Sequence, residues 1–176
     1  MYALNKDELL NLLRAARAVS ERDFVLLLTT FSHGLRVSEA LALTPGGIRD
    51  GYLDVQRLKG SMRTIQPLVA NIDPLLDERT ALTAWAAQVQ PDGRLFPITR
   101  RQAHNVIRKH GKAAGLPEHK LHCHILKHSC GMLAIRSGIE NARQYLGHRS
   151  LNSTGAYLRV DDQAASAAFA AVAGGQ

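Results

Sequence analysis

The sequence predicts a mainly α-helical domain with one small antiparallel β insert. Apolar residues recur at the three- and four-residue spacing of amphipathic helices over most of the 176-residue chain. By contrast, residues 46–68 contain two short strand-like runs around the turn Lys59-Gly60-Ser61. With 45% hydrophobic and 21% charged residues, the chain can bury a proper core. We therefore expect residues 1–176 to form one domain.

Two N-terminal helices are predicted from their capping residues. Asn5 can cap the first helix, and Glu8 stands three residues later, where it completes a capping box. Ser20 can cap the second helix, whose core run is 24–28. Both helices are expected to present an apolar face to the core.

The β insert follows a third helix, which we expect over 36–43, between Gly34 and Pro45. Two strand-like runs joined by a short turn pair as an antiparallel hairpin, which puts Lys59 near its tip. The strand-like residues are Tyr52, Leu53 and Val55 before the turn, and Ile65 and Leu68 after it.

The second half of the chain predicts a series of helices. Asp73 and Pro74 have the pattern of an N-cap followed by proline at the first helical position, which would open a helix to about Val89. Thr99 can cap a basic helix over 100–114. Further helices are expected over 124–137, 140–146, 150–157 and 162–174.

Charge and hydropathy restrict the class of partner and the compartment. The formal net charge of +7 favours nucleic acid or an acidic membrane surface as partner, although an ordinary basic enzyme would look the same. No apolar run approaches the ~20 residues of a membrane span, and the N-terminus lacks the order of a signal peptide. Cys123 and Cys130 lie in one predicted helix, so no structural disulfide is expected. These features predict a soluble cytoplasmic protein.

Two motifs in the first half offer cations to an anionic ligand. In the run 33–39, His-Gly-Leu-Arg-Val-Ser-Glu, Arg36 stands at a helix start and offers a rigid fork of donors for phosphate. The alternative is a surface arginine paired with Glu39. Lys59 at a hairpin tip can reach into a groove, but it can also be a solvated turn residue.

A third motif is the histidine-rich run 122–129. On a helix, His124, Lys127 and His128 are spaced to share one face, which suits either an anion site or a metal site. Isoleucine replaces the glutamate of the zinc motif His-Glu-x-x-His, and Lys127 would repel a cation, so the anion site is favoured. His122 and His128 can also be hydrogen-bonded packing residues.

The fourth motif is Leu146-Gly147-His148, followed nine residues later by Tyr157. A phenol ionises near pKa ~10, so it is a useful nucleophile only where cations surround it and the electrophile is anionic. The chain offers cationic groups in the upstream motifs. Together the four motifs suggest that Tyr157 attacks a DNA phosphate.

In order and spacing, these motifs resemble the catalytic domain of the tyrosine recombinases, also called phage-type integrases. That family has arginine in Gly-Leu-Arg-x-Ser-Glu, a hairpin lysine, His-x-x-Arg, Leu-Gly-His and a tyrosine nine residues later. The runs 57–60 and 124–131 are especially similar to the short recombinases that invert the fimbrial phase switch. Since those recombinases lack the separate N-terminal core-binding domain, none is expected here. The matching residues are Arg36, Lys59, His124, His148 and Tyr157.

The resemblance implies a role for each matched residue. It makes Tyr157 the nucleophile that forms a 3′-phosphotyrosyl intermediate, and Lys59 the general acid. The other groups act on the phosphate or the tyrosine: Arg36 and Lys127 neutralise non-bridging oxygens, His148 donates a hydrogen bond, and His124 assists proton transfer from the tyrosine. Lys127 departs from the family, which has arginine there, and a lysine supplies a point charge with fewer fixed donors.

The resemblance also implies the partners. These are double-stranded DNA with a specific recombination site, further copies of the chain in a tetramer on DNA, and accessory DNA-bending proteins. No cofactor, metal or membrane is expected, and the expected location is with the nucleoid. Helix 162–174 packs either on its own domain or on a neighbouring protomer. Candidate DNA contacts on the basic helix are Arg100, Arg101, His104, Asn105, Arg108 and Lys109, although a solvated basic face would carry the same residues.

Three functions fit these features. The first is a site-specific recombinase that inverts, integrates or excises DNA. The second is a non-catalytic DNA-binding relative, in which Lys127 marks the decay of the site. The third is an enzyme that only nicks and reseals DNA, as a topoisomerase does.

Overall fold

The N-terminal part of the fold is a pair of packed helices, α1 (Lys6–Arg17) and α2 (Glu21–Ser32). The structure is a computed structural model that describes residues 3–57, 62–150 and 154. Both predicted caps are confirmed: the Asn5 and Glu8 side chains form a capping box, and the Ser20 hydroxyl accepts a hydrogen bond from the backbone N–H of Asp23. These local hydrogen bonds fix where each helix begins.

Helix α3 is shorter than predicted. It covers only Val37–Ala40 instead of 36–43, and the chain then passes through turns to a 3-10 helix at Pro45–Gly47. Thr44 is extended, as expected for a residue before proline, so the helical conformation cannot continue up to Pro45. The N–H groups of Ala42 and Leu43 bond three residues back, which tightens the last turn.

The predicted β insert is confirmed as a small antiparallel sheet of three strands in the order β1-β2-β3. Strand β2 (Tyr52–Val55) pairs with β3 (Thr64–Pro67), with Leu53 opposite Gln66. Strand β1 (Ile48–Arg49), which the sequence pattern does not predict, pairs with β2 across a tight turn. That turn needs positive φ at Asp50 and Gly51, a conformation that aspartate tolerates and glycine favours. The predicted hairpin tip, including Lys59, lies outside the described residues.

Helix α4 (Glu78–Ala86) begins later and ends earlier than predicted. The Asp73 carboxylate accepts a hydrogen bond from Leu75, two residues on, so it closes a local turn instead of capping a helix. The cap is Asp77, whose side chain accepts from the backbone of Thr80. The predicted cap at Asp73 is therefore wrong, and the observed cap lies four residues later.

The C-terminal helices agree closely with the sequence. Helix α5 (Arg100–Ala113) is capped by Thr99, α6 (His124–Ala134) continues into one 3-10 turn, and α7 (Ile139–Tyr145) follows Gly138. The predicted segments beyond residue 150 lie outside the described residues except for Thr154.

One main core joins these elements, with α2 packed against α1, α4 and α6. The predicted fold class, mainly helical with a small antiparallel insert, is therefore confirmed. Among the described residues, no helix is both long enough and apolar enough to cross a bilayer. The largest fully buried side chains include Leu12, Leu13, Phe24, Leu28, Leu35, Leu53, Leu82, Phe96, Ile107 and Ile125.

Candidate active site

Arg36 is positioned by a tight turn and a buried carboxylate. Gly34 turns the chain with φ +57°, and a Cβ there would lie 2.5 Å from Cδ2 of Leu146, so only glycine fits. Arg36 then caps α3, and its Nη1 lies 2.9 Å from Oε1 of the fully buried Glu39. The second oxygen of Glu39 accepts the backbone N–H of Arg36 at 2.8 Å. The guanidinium is therefore oriented from below while a third of the side chain stays exposed.

The pair of Arg36 and Glu39, which the sequence offered as an alternative, is thus confirmed, but it is not a surface pair because Glu39 is fully buried. Burial by itself would raise the pKa of Glu39. The hydrogen bond from the Arg36 backbone and the charges of Arg57 and Lys127 outweigh burial, so the pKa of Glu39 is lowered. Glu39 is accordingly a buried anion that three nearby cations share.

Lys127 on α6 is buried and reaches the same turn. Its Nζ donates a hydrogen bond to the Gly34 carbonyl at 2.7 Å. Burial, followed by repulsion from Arg57, lowers the pKa of Lys127 to about 8. The ammonium group is therefore still mostly protonated at pH 7, and it lies beside the turn that carries Arg36.

His148 is the third predicted residue in this cluster. It follows Gly147, which has φ +68°, and its buried ring has Nδ1 3.1 Å from the Thr154 hydroxyl. Burial and then the charges of Lys127, Arg36 and Arg57 lower the pKa of His148 to about 4. The imidazole is therefore neutral at pH 7. When the Thr154 hydroxyl donates to Nδ1, the proton is on Nε2, which can donate to an anion.

His124 and His128 are both exposed on α6, with ring centroids 6.4 Å apart, whereas Lys127 is buried. The helix keeps the predicted spacing of the three residues, but it buries Lys127 and leaves the two histidines at the surface. Burial, followed by the charge of His124, lowers the pKa of His128. In the described ranges, no three His, Cys, Asp or Glu side chains are grouped to hold a metal ion.

The remaining two predicted catalytic residues, Lys59 and Tyr157, lie outside the described residues. Residues close to them in the chain, Met62 and Thr154, contact Gly147 and His148. The backbone N–H of Met62 donates to the carbonyl of Gly147 at 2.9 Å, which joins the base of the hairpin to the turn before His148. Thr154, which contacts His148, is three residues before Tyr157 in the chain.

The predicted DNA contacts on α5 form one exposed surface. The helix buries Ala103, Val106, Ile107 and His110 on its other face, and His110 lies 2.9 Å from the buried Asp23. Arg108 also pairs with Glu118 at 3.1 Å. The exposed residues are Arg100, Arg101, His104, Asn105, Arg108 and Lys109.

Arg57 is a further cation of the cluster, one that the motifs do not predict. Its side chain is completely buried and lies 3.2 Å from Oε2 of Glu39. The only sequence signal was its place two residues before Lys59, which gives no indication of burial. With Arg57, the described part of the site contains three cations around one carboxylate, an excess of positive charge that favours an anionic ligand.

Comparison with known proteins identifies what this arrangement is similar to. A sequence model of the phage integrase family matches residues 3–164. The type 1 fimbriae regulatory protein FimE of Escherichia coli K12 is 30% identical over 156 residues, which cover 80% of this chain and 75% of FimE. Tyrosine recombinase XerC of Methylobacterium sp. strain 4-46 is 31% identical over 163 residues, covering 87% of this chain and 50% of XerC.

A solved structure has the same fold. The crystal structure of the XerA recombinase superposes with a TM-score of 0.75 at 23% identity, covering 95% of this chain and 63% of that one. The chain described here thus spans less than two thirds of XerA.

Proposed function

The chain belongs to the phage integrase family, and we propose that it is a site-specific DNA recombinase that cuts and rejoins DNA through a 3′-phosphotyrosyl intermediate. The observation that carries this proposal is that Lys127 bonds the Gly34 carbonyl, two residues before Arg36, and that both cations lie close enough to the buried ring of His148 to act on its charge. Each residue comes from a different motif, and the three together provide two cations and one neutral donor for a phosphate.

The proposed reaction is a transesterification with balanced bonds. The Tyr157 oxygen attacks the phosphorus of the scissile phosphate, and the bond from phosphorus to the 5′ oxygen breaks. Lys59 gives its proton to the leaving 5′ oxygen, and His124 assists removal of the proton from the tyrosine. Attack by a 5′ hydroxyl on the phosphotyrosine then reverses these bond changes and joins the DNA. Because one phosphodiester replaces another, no ATP is needed.

The cations would act on the two non-bridging oxygens, which gain negative charge as the pentacoordinate transition state forms. A preorganised donor in a water-poor site needs no rearrangement when that charge develops. Arg36, oriented by Glu39, offers the exposed third of its side chain, and His148 offers Nε2–H. A charge-assisted hydrogen bond of ~1.5–3 kcal/mol in the transition state corresponds to roughly ten- to a hundredfold in rate.

Lys127 would supply charge rather than a two-point clamp. One of its three N–H groups is used on the Gly34 carbonyl, and two remain for phosphate oxygens. An arginine in the same place would offer a planar fork, so the lysine is expected to give a slower enzyme. A weakened or inactive DNA-binding relative is the alternative function that this substitution favours.

DNA would lie across the exposed face of α5, with arginines and lysine on phosphates and His104 and Asn105 near base edges. Recombination joins two duplexes, so we propose a tetramer on DNA at a specific site, with accessory DNA-bending proteins as further partners. The segment 162–174 would either exchange between protomers or pack on its own domain. Acting on DNA, the protein would associate with the nucleoid.

The test uses a nicked suicide duplex that carries inverted repeats from the DNA flanking the gene. We expect an SDS-stable adduct of protein and DNA that Tyr157→Phe abolishes. Site-specific binding with no adduct would identify the non-catalytic relative. An adduct that survives Tyr157→Phe would contradict the proposed nucleophile. Relaxation of supercoiled DNA without recombinant products would identify an enzyme that only nicks and reseals.

A further inference from the structure

We propose that Arg57 is a positioning residue of this active site, which holds the turn carrying Arg36 against the turn carrying His148 without touching the DNA. The inference rests on the proposed function, because it assigns Arg57 a task in that reaction. It concerns a residue whose side chain is buried and to which no role was assigned above.

Arg57 connects parts of the chain that are far apart in sequence. Its guanidinium contacts the turn before α3, the end of α7 and the neighbouring strand β3. The acceptors are the His33 carbonyl at 3.0 Å, the Gly34 carbonyl at 3.3 Å, Oε2 of Glu39 at 3.2 Å, the Tyr145 carbonyl at 3.1 Å and the Thr64 hydroxyl at 3.1 Å. Two of these lie just before Arg36, and Tyr145 lies three residues before His148.

These contacts use the whole donor capacity of the side chain. A guanidinium has five N–H groups, and Arg57 has one acceptor for each of them: one on Nε, two on Nη1 and two on Nη2. The side chain is also fully buried. No N–H is therefore left for a phosphate oxygen, which separates Arg57 from Arg36 and makes its role one of positioning.

Lysine cannot reproduce this arrangement. An ammonium group has three donors at one point, whereas the acceptors of Arg57 are spread around a plane. Arg57→Lys keeps the charge beside Glu39 but leaves at least two of the five acceptors without their donor. Since buried acceptors without partners are costly, the two turns are expected to separate or rotate in this variant.

Gly147 shows how closely the second turn lies on Arg57. A Cβ at Gly147 would be 3.1 Å from Cγ and 3.2 Å from Nε of Arg57, and 2.8 Å from the carbonyl oxygen of Met62. The Gly147 carbonyl also accepts the backbone N–H of Met62 at 2.9 Å. The positive φ and the Met62 carbonyl require glycine at this position, and the Arg57 side chain lies close against the same turn, so movement of Arg57 is expected to move His148.

Arg57 also meets Lys127 at one acceptor. Both cations donate to the Gly34 carbonyl: Arg57 from the end of β2 and Lys127 from α6. The position of Lys127 therefore depends on the same turn that Arg57 holds. Arg57 is thus linked to Arg36 through Glu39 and to Lys127 through the Gly34 carbonyl. Its link to His148 runs through the Tyr145 carbonyl, three residues earlier in the chain.

The experiment compares Arg57→Lys with the parent and with Arg63→Lys as matched control. Arg63 is an arginine near the same hairpin, but its side chain is 58% exposed and pairs only with Asp54 among the described residues. The measurements are DNA affinity and the single-turnover rate of adduct formation on the suicide duplex. We expect Arg57→Lys to bind DNA within about threefold of the parent but to form the adduct at least about tenfold more slowly. Arg63→Lys is expected to match the parent in both affinity and rate. Equal rates for Arg57→Lys and the parent would overturn the proposal.

A second readout does not depend on the chemistry. The ring of His148 is followed by NMR during an acid titration in the parent and in Arg57→Lys. Because the lysine keeps the positive charge, a His148 that titrates at higher pH in the variant would show that its ring has become less buried. An unchanged His148 titration in Arg57→Lys would contradict the proposal about Arg57. If the parent forms no adduct, that result contradicts only the proposed function, and the titration still tests the role of Arg57. Should Arg57→Lys not fold, Thr64→Val, which removes only the Nε acceptor, takes its place in both measurements, with the same direction expected.

Discussion

The ammonium group of Lys127 donates a 2.7 Å hydrogen bond to the carbonyl of Gly34, two residues before Arg36. Two cations that stand 91 positions apart in the chain are therefore linked through a single peptide group. Changes at either end of that link are expected to alter the same chemical step.

The first prediction concerns the alkaline side of the pH–rate profile. The pKa of Lys127 is lowered to about 8 by burial and by the charge of Arg57, so the ammonium loses its proton above that pH. We expect the rate of adduct formation to fall above pH 8. In Lys127→Arg the guanidinium keeps its charge, and the fall should move to higher pH. An alkaline limb at the same pH in both proteins would show that another group controls it.

The same residue predicts a dependence of stability on pH. The folded protein holds Lys127 at a pKa of about 8, below its ordinary value of 10.5. Between these values the unfolded chain binds more protons, so the contribution of Lys127 to stability rises with pH over this window. Lys127→Met removes the group. Denaturant unfolding at pH 7.5 and pH 10 should show that the parent gains stability relative to this variant as the pH rises. An equal difference in the free energy of unfolding at the two pH values would contradict this prediction.

Gly34→Ala tests the turn before Arg36. The substitution adds the strain of a positive φ and a clash of the new Cβ with Leu146, which lies 2.5 Å away. Gly115→Ala is the matched control, because Gly115 has φ +73° and nothing within 4 Å of the added Cβ. We expect both to lose about 1–3 kcal/mol of stability from strain, and Gly34→Ala to lose more. Thermal or denaturant unfolding measures the difference, and equal losses would refute the clash.

The sequence predicts features that adjacent residues create. The caps Asn5, Ser20 and Thr99 are right because each bonds the backbone three residues on. Asp73 is wrong as a cap because its carboxylate closes a local turn with the backbone N–H of Leu75. The two-residue strand Ile48–Arg49 has too little pattern to be recognised.

Only those residues of the site that belong to recognisable sequence motifs were predicted. Arg36, Lys127 and His148 were found from their motifs and do cluster. The role of Arg57 could not be found, because its acceptors lie up to 88 positions away in sequence and its burial depends on the packing of distant turns. The burial of Lys127 beside two exposed histidines was missed for the same reason, because spacing along a helix does not show which residues the neighbouring elements cover.

The surface of α5 gives a prediction about DNA affinity. Arg101→Gln removes one exposed charge, and if that arginine contacts phosphate, the slope of log affinity against log salt should fall by about one. Arg14→Gln, an exposed arginine on α1, is the matched control and should leave the slope unchanged. Fluorescence anisotropy over a series of salt concentrations measures both. Equal slopes for the parent and Arg101→Gln would remove Arg101 from the DNA surface.

The central claim, that cations at one turn serve a tyrosine nucleophile, is tested most directly by mapping the covalent adduct. The adduct on the suicide duplex is digested with nuclease and trypsin and analysed by mass spectrometry. The account predicts a nucleotide on the tryptic peptide 150–159, in which Tyr157 is the sole tyrosine. An adduct on any other peptide, or site-specific DNA binding with no adduct at all, would contradict it.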